Sequence, residues 1–371
     1  MVDKNGSSSK KRQLVPPQQD DFRSRQIDLF QSLLCNTEAE RDSLSNVFDL
    51  WDSIPRYVVS RQQQDKWRKA GTFPLLHEVP FHYRGRELIA TIQPAAVKGK
   101  DGIIQAYFPS ANEELIEDVL RKIAAVQNNG YYDPKERRSG VVFTLHMVRK
   151  ELEKRGHGRT YKEINLSLEI MARSVIITSM ADGKEGEFTS NSLYLNNLFR
   201  ATKGRLAEDP EAKWFADFHP FAGRALDELT YRQFNYARLM SHKSQLARWI
   251  NKVLSLKYLN ASFMHPFEMR FSTIMRDSGL LNGYGVLRLA VAAVDAAFDE
   301  LHSCEPSLLG SKAEKSLVQG SRGKILDVIY TLHPSREFMA EVKAASKRQA
   351  LASERPTLVD NSISARLRQG E

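Results

Sequence analysis

The chain has 371 residues, room for two or three domains, and 42% of them are hydrophobic, enough for sizeable cores. Lys and Arg total 54 against 45 Asp and Glu, a formal net charge of +9, which points to a polyanionic partner, nucleic acid first and a membrane surface second. Only Cys35 and Cys304 occur, far apart and without a CxxC or CxxH companion, which argues against a disulfide framework or structural zinc and for two reduced thiols in a cytosolic protein.

Residues 1–70 read as a flexible arm. Gly6-Ser7-Ser8-Ser9-Lys10-Lys11-Arg12 and Pro16-Pro17-Gln18-Gln19-Asp20-Asp21 are polar and aperiodic. No apolar run follows the basic residues, so no signal peptide is expected. Inside the arm lies an apolar island, Ile27-Asp28-Leu29-Phe30, followed by Leu33-Leu34; a peptide of this kind often docks on a partner.

A first folded domain is expected over residues 73–202. Residues 87–93 and 103–108 read as strands, joined through the turn Lys98-Gly99-Lys100-Asp101-Gly102. Ser110 and Glu113 form a capping box for a helix whose apolar face is Leu115, Ile116, Val119, Leu120, Ile123 and Val126. Thr144 caps a second helix, with Leu145, Val148 and Leu152 inward and Gly156 as its stop. Thr160 caps a third, with Tyr161, Ile164, Leu168 and Met171 as its buried stripe. Val175-Ile176-Ile177, a turn at residues 182–186 and a return over 192–196 make a hairpin. Helix, short turn, helix and hairpin is the order of a winged helix.

The order recurs in a second domain, residues 213–345. Helices are expected over 244–258, over 267–277 up to Gly279, and over 287–301, with Leu287, Val291, Val294, Phe298 and Leu301 as the last one's apolar stripe. Residues 324–331 read as a strand and 308–323 as a long wing loop. Residues 346–371 read as a loose polar tail. No run reaches the roughly 20 apolar residues a membrane span needs; the best, residues 286–298, is broken by Arg288 and Asp295. The fold class is α+β: two tandem winged-helix domains preceded by a flexible arm, in the cytoplasm and apart from membranes.

Charge falls in two places. Arg149, Lys150, Lys154, Arg155, Arg159 and Lys162 surround the turn between the paired helices of the first domain. On the second of these, Lys162, Asn165, Glu169 and Arg173 lie opposite the buried stripe, either as a solvated face or as a surface able to read guanine and adenine in a major groove. Between Leu229 and Phe267 no Asp or Glu occurs, while Arg232, Arg238, Lys243, Arg248, Lys252 and Lys257 do. Such a one-sign stretch suits phosphate tracking. Its aromatics, Tyr231, Tyr236, Trp249 and Tyr258, read as core rather than as base-stacking groups.

No enzyme constellation stands out. There is no P-loop, since Gly320-Ser-Arg-Gly323-Lys324 has the wrong spacing. No pair of histidines flanks a single residue as a rolling-circle nuclease requires, and no tyrosine nucleophile follows His333-Pro-Ser-Arg336. The expectation is a binding protein with no catalytic residues, no cofactor and no metal.

Taken in order, these features resemble the plasmid replication initiators with tandem winged helices, of the TrfA-like type. Four segments carry the resemblance. Gln26-Ile27-Asp28-Leu29-Phe30 is similar to the peptide by which such initiators grip the bacterial sliding clamp. Tyr83-Arg-Gly-Arg-Glu-Leu88 resembles the family's first strand, and Tyr161-Lys-Glu-Ile-Asn-Leu-Ser-Leu-Glu-Ile170 its first recognition helix. Residues 230–236 with 246–250 resemble the start of its second domain. The resemblance implies binding to double-stranded DNA at direct repeats of a replication origin, opening of an AT-rich stretch, and recruitment of the sliding clamp and of the host replicative helicase and initiator. It leaves a homodimer open. One departure is plain: residues 287–301 are Ala-rich and offer Arg288, Asp295 and Asp299 rather than a basic face. Base reading is then expected at residues 282–288 and at the wing residues Lys312, Lys315, Arg322 and Lys324. The alternatives are a winged-helix transcriptional repressor or partition factor and a phage-encoded replication protein.

Overall fold

The structure, a computed structural model, describes residues 43–99, 101–125, 130–133, 138–180, 190–201, 212–227, 231–321 and 324–354. Chain order begins inside the segment that its sequence marks as a flexible arm. Strand β1 (Leu44–Phe48) pairs antiparallel with Tyr231–Asn235, and helices α1 (Asp49–Ser53) and α2 (Arg61–Ala70) follow. Val47, Phe48, Trp51, Ile54 and Tyr57 are buried in the first core, so the arm expectation fails for residues 44–70. Helix α2 has no apolar stripe to betray it. Ser60 caps it by accepting from the Gln63 amide, Gly71 ends it in the left-handed region, and buried Gln64 holds the Phe108 backbone through both its amide atoms.

Strands β2 (His77–Tyr83), β3 (Arg86–Gln93), β4 (Ala95–Lys98) and β5 (Ile104–Tyr107) come next. The hairpin turn stands where the glycines put it, but β5 pairs with β4; β3 pairs instead with β2 and β8 (Val175–Met180). Helix α3 (Ala111–Ala125) starts at Ser110, whose amide and hydroxyl both donate to Glu113. Strands β6 (Gly130–Asp133) and β7 (Arg138–Phe143) lead to α4 (Leu145–Lys154) and α5 (Tyr161–Met171), capped by Thr144 and Thr160 as their sequences indicate. Strand β9 (Ser190–Leu193) completes the sheet β2-β3-β8-β9, and β10 (Leu195–Phe199) and β11 (Trp214–Phe218) join β7 and β6 in the order β10-β11-β7-β6. Helix α6 (Pro220–Asp227), β12 (Tyr231–Asn235) and α7 (Tyr236–Ser241) still pack on this first core, which runs from Val47 to Met240. The boundary between domains thus lies beyond residue 213.

The second core runs from Leu246 to Val342. It contains α8 (Gln245–Lys257), β13 (Phe267–Arg270), α9 (Phe271–Ser278), α10 (Leu287–Ser303), β14 (Glu314–Gln319) and β15 (Ile325–Leu332). The antiparallel sheet β13-β15-β14 closes a winged helix with α10 in the recognition position. Residues 267–270 are strand rather than helix, because Phe267 and Met269 alternate with Glu268 and Arg270 and Met269 alone of the four is buried. The expected wing loop, residues 308–323, contains the returning strand β14. Helix α11 (Arg336–Glu354) packs on β12, so residues 346–354 are helical and not loose tail.

Candidate nucleic-acid interface

In the first domain, Ile164, Leu168 and Met171 of α5 are buried as their spacing predicts. Tyr161 is not: it is 42% exposed, with the Arg149 guanidinium 5.0 Å from its ring centre and its hydroxyl 3.2 Å from His146 Nδ1. Several expected DNA-binding cations are held locally. Arg149 pairs with Glu153 (2.7 Å) and Arg155 with Glu151 (3.0 Å). Arg159 donates to Asn112 Oδ1 (2.9 Å) and to the Gly158 carbonyl (2.9 Å). Arg173 pairs with Glu169 (2.7 Å) and donates to the Ala96 carbonyl on β4 (3.0 Å). Lys150, Lys154 and Lys162 are exposed, and Asn165 is half-buried. Lys150 and Lys162 have no ion pair among the described residues.

The second basic stretch has another role. Arg238 is fully buried and bonds Glu341 of α11 through both terminal nitrogens (2.9 and 3.1 Å). Arg248 pairs with Glu114 (3.2 Å), and Lys252 with Asp118 (2.8 Å) and Glu114 (3.7 Å). Arg232 lies half-buried against α11, donating to Ser346 Oγ (3.0 Å). Arg238, Arg248 and Lys252 are therefore not phosphate contacts, and Arg232 points inward; only Lys243 and Lys257 of this stretch are exposed. The aromatics are core as expected, Tyr236 and Tyr258 being buried.

What binds Arg248 and Lys252 is α3. Its apolar face fills the first core, and its other face, Glu113, Glu114, Glu117 and Asp118, is buried too. Glu114 and Asp118 reach across to α8 of the second domain. Glu117 accepts from the Trp51 indole (2.5 Å), Arg121 (2.5 Å), Arg56 (3.4 Å) and the Tyr57 hydroxyl. Asp52 accepts from Arg56 (3.1 Å) and Arg121 (2.9 Å). Burial opposes the Glu117 charge, but Arg121 and Arg56 outweigh it and hold the carboxyl well below the ordinary range. For Lys252, burial works against the ammonium, and Asp118 and Glu114 more than reverse it, so its pKa rises. The seam also carries the bonds from Gln245 Nε2 to the Tyr57 carbonyl (2.9 Å) and from the His82 amide to Asp277 Oδ1 (3.1 Å). The signal for it was present in Glu113-Glu114 and Glu117-Asp118, a helix face of one sign facing a distant stretch of the other.

In the second domain the acidic residues that counted against α10 are occupied. Asp295 accepts from Lys315 (2.8 Å) and from the Tyr330 hydroxyl (2.9 Å), and Asp299 lies 4.0 Å from Lys312. Arg288 and Lys324 are exposed, as are residues 282–289 throughout. Arg322 and the clamp-type peptide Gln26, Ile27, Asp28, Leu29 and Phe30 lie outside the described residues.

These features define a tandem winged-helix protein, with α5 and α10 in the two recognition-helix positions. Among solved structures it is similar to domains 2 and 3 of RctB, in two structures, and to the Pi initiator protein in complex with iteron DNA. The first RctB structure has 10% identity and a TM-score of 0.47, covering 76% of this chain and 97% of that one; the second has 10% and 0.43, covering 72% and 95%. The Pi complex has 9% identity and a TM-score of 0.34, covering 80% and 99%. No family model and no curated protein matches the chain. Among the described residues no helix is long and apolar enough to cross a membrane, and no group of three metal-ligating side chains occurs.

Proposed function

We propose that the chain is a sequence-specific, double-stranded-DNA-binding replication initiator of the cytoplasm, acting by binding and not by catalysis. The observation that carries this reading is the exposed N-terminal end of α10 beside its wing, with Arg288 and Lys324 free to meet phosphate or base. Lys150, Lys162 and Asn165 offer a second contact from the first domain. Two reading helices on one chain suit adjacent grooves of one repeat. Opening of the flanking DNA and recruitment of the helicase and host initiator belong to the same reading, with Gln26-Ile27-Asp28-Leu29-Phe30 as the clamp ligand.

Footprinting of the purified chain on the DNA flanking its gene tests this. Evenly spaced protected repeats are expected. A lone protected operator at a promoter would replace the initiator with a repressor. A peptide of residues 20–36 should bind purified clamp, and Leu29→Ala with Phe30→Ala should abolish that binding.

A further inference from the structure

The end of α10 that faces outward carries almost no hydrogen-bonding side chains. Val286, Leu287 and Leu289 are 54%, 51% and 52% exposed, and between Asn282 and Ala293 the polar side chains are Asn282, Tyr284 and Arg288. The wing continues this apolar surface. Lys315 stands opposite Tyr330, and Leu317 opposite Val328, so Leu317 shares the wing face that packs on α10. Leu317 is nevertheless 48% exposed, and Leu326, at the bulge beyond it, is 62% exposed.

The ion pairs fix the direction of that face. Lys312 meets Asp299 and Lys315 meets Asp295, so residues further out along β14 run toward the N-terminal half of the helix. Arg288, Val291 and Ala292 lie seven, four and three positions before Asp295, on the same side of α10. Exposed apolar side chains thus stand both on the N-terminal turn of α10 and on the wing strands that run toward it. Their neighbouring carboxylates are neutralised by lysines, and Arg288 and Lys324 flank them.

We propose that the N-terminal turn of α10 and the inner face of the wing recognise thymine methyl groups in duplex DNA by apolar contact, with Arg288 and Lys324 on the adjoining backbone. The inference rests on the DNA-binding reading above and names what that surface reads. Among the groove edges of the four base pairs, the thymine methyl is the one apolar group, and it has no hydrogen-bonding demand that leucine and valine would leave unmet. The flanking cations and the neutralised Asp295 and Asp299 suit a polyanion.

The test uses the full chain and a duplex selected by it from a random pool, made again with deoxyuridine in place of thymidine. Deoxyuridine removes only the methyl and keeps every hydrogen-bonding group. Affinity should fall about fourfold for each methyl that is read. In Leu289→Ser and Leu317→Ser chains, whose altered positions are exposed and whose melting should match the parent, the difference between the two duplexes should shrink. Equal affinity of the parent for both duplexes overturns the proposal while leaving DNA binding intact. A penalty undiminished in both variants places the methyl contact elsewhere and also overturns it. Absence of any duplex binding defeats the functional reading beneath it. If the duplexes are equivalent and the two serine variants instead lose self-association, the surface is a contact between copies of the chain.

Discussion

Glu117 gathers an indole, a phenol and two guanidinium groups around one buried carboxylate. Its folded pKa lies below the unfolded value, so its contribution to stability is complete above the ordinary carboxylate range, near pH 4.5, and is lost as the pH falls below it. Melting temperature should therefore drop below about pH 4.5. Glu117→Gln should flatten that slope and cost about 3–5 kcal/mol at neutral pH, because two arginines lose a buried partner. Lys252 makes a sharper contrast. Lys252→Met strands Asp118 and should cost a similar roughly 3–5 kcal/mol, whereas Lys252→Met with Asp118→Leu should recover much of it, since an apolar pair can replace a buried ion pair. Chemical denaturation of the three chains measures both effects; equal losses in the single and double variants would refute the pairing. The same residue shows why the basic stretch looks like a phosphate-binding surface in sequence and is not one in the fold. Local composition counts charges, but the Asp118 partner is 134 positions away, and no spacing rule reaches that far.

Elements with local punctuation were legible, and elements held by distant partners were not. Ser110, Thr144 and Thr160 announce α3, α4 and α5 because a cap acts within four residues. Gly156 and Gly279 stop their helices at positive φ, 79° and 64°. Strands β1 and β12 lack such marks, since each is a strand only by virtue of the other, and α2 hides its packing in the amide of Gln64. Candidate-site legibility followed the same division. Exposed Lys162 and Arg288 could be placed from helix spacing, while Arg238 and Arg248 needed the tertiary fold. Gly279 offers a test at this scale. Besides its positive φ, a Cβ there would lie 2.8 Å from Val58 Cγ1 and 3.1 Å from Val79 Cγ1, both in the first domain. Gly279→Ala should destabilise by about 1–3 kcal/mol, through strain and overpacking together. A melting temperature equal to that of the parent would show that the two domains do not meet there.

In the whole molecule, Arg232, Arg238, Arg248 and Lys252 of the basic stretch are held between the two domains and are unavailable to DNA. The exposed cations suited to phosphate, Lys150, Lys162, Lys243, Lys257, Arg288 and Lys324, could neutralise about six phosphates, for a slope of log affinity on log salt near −5. Affinity should fall on the order of 10³-fold between 50 and 200 mM salt. Lys150→Ala and Lys162→Ala should each flatten the slope by about one, measurable by titration of labelled duplex over that range, and a salt-independent affinity would refute the phosphate assignment. The pairing of β1 with β12 has its own consequence for how the chain is made. A ribosome releases residues 44–48 early, but their partners, residues 231–235, and the core residues Phe234, Tyr236, Leu239 and Met240 emerge far later. At roughly 5–20 residues per second, the nascent first domain waits on the order of ten seconds or more with its closing strand unpaired. A chain ended at residue 227 should accordingly stay open to protease, and one ended at residue 244 should gain protection: the first of the two domains is finished only as the second begins.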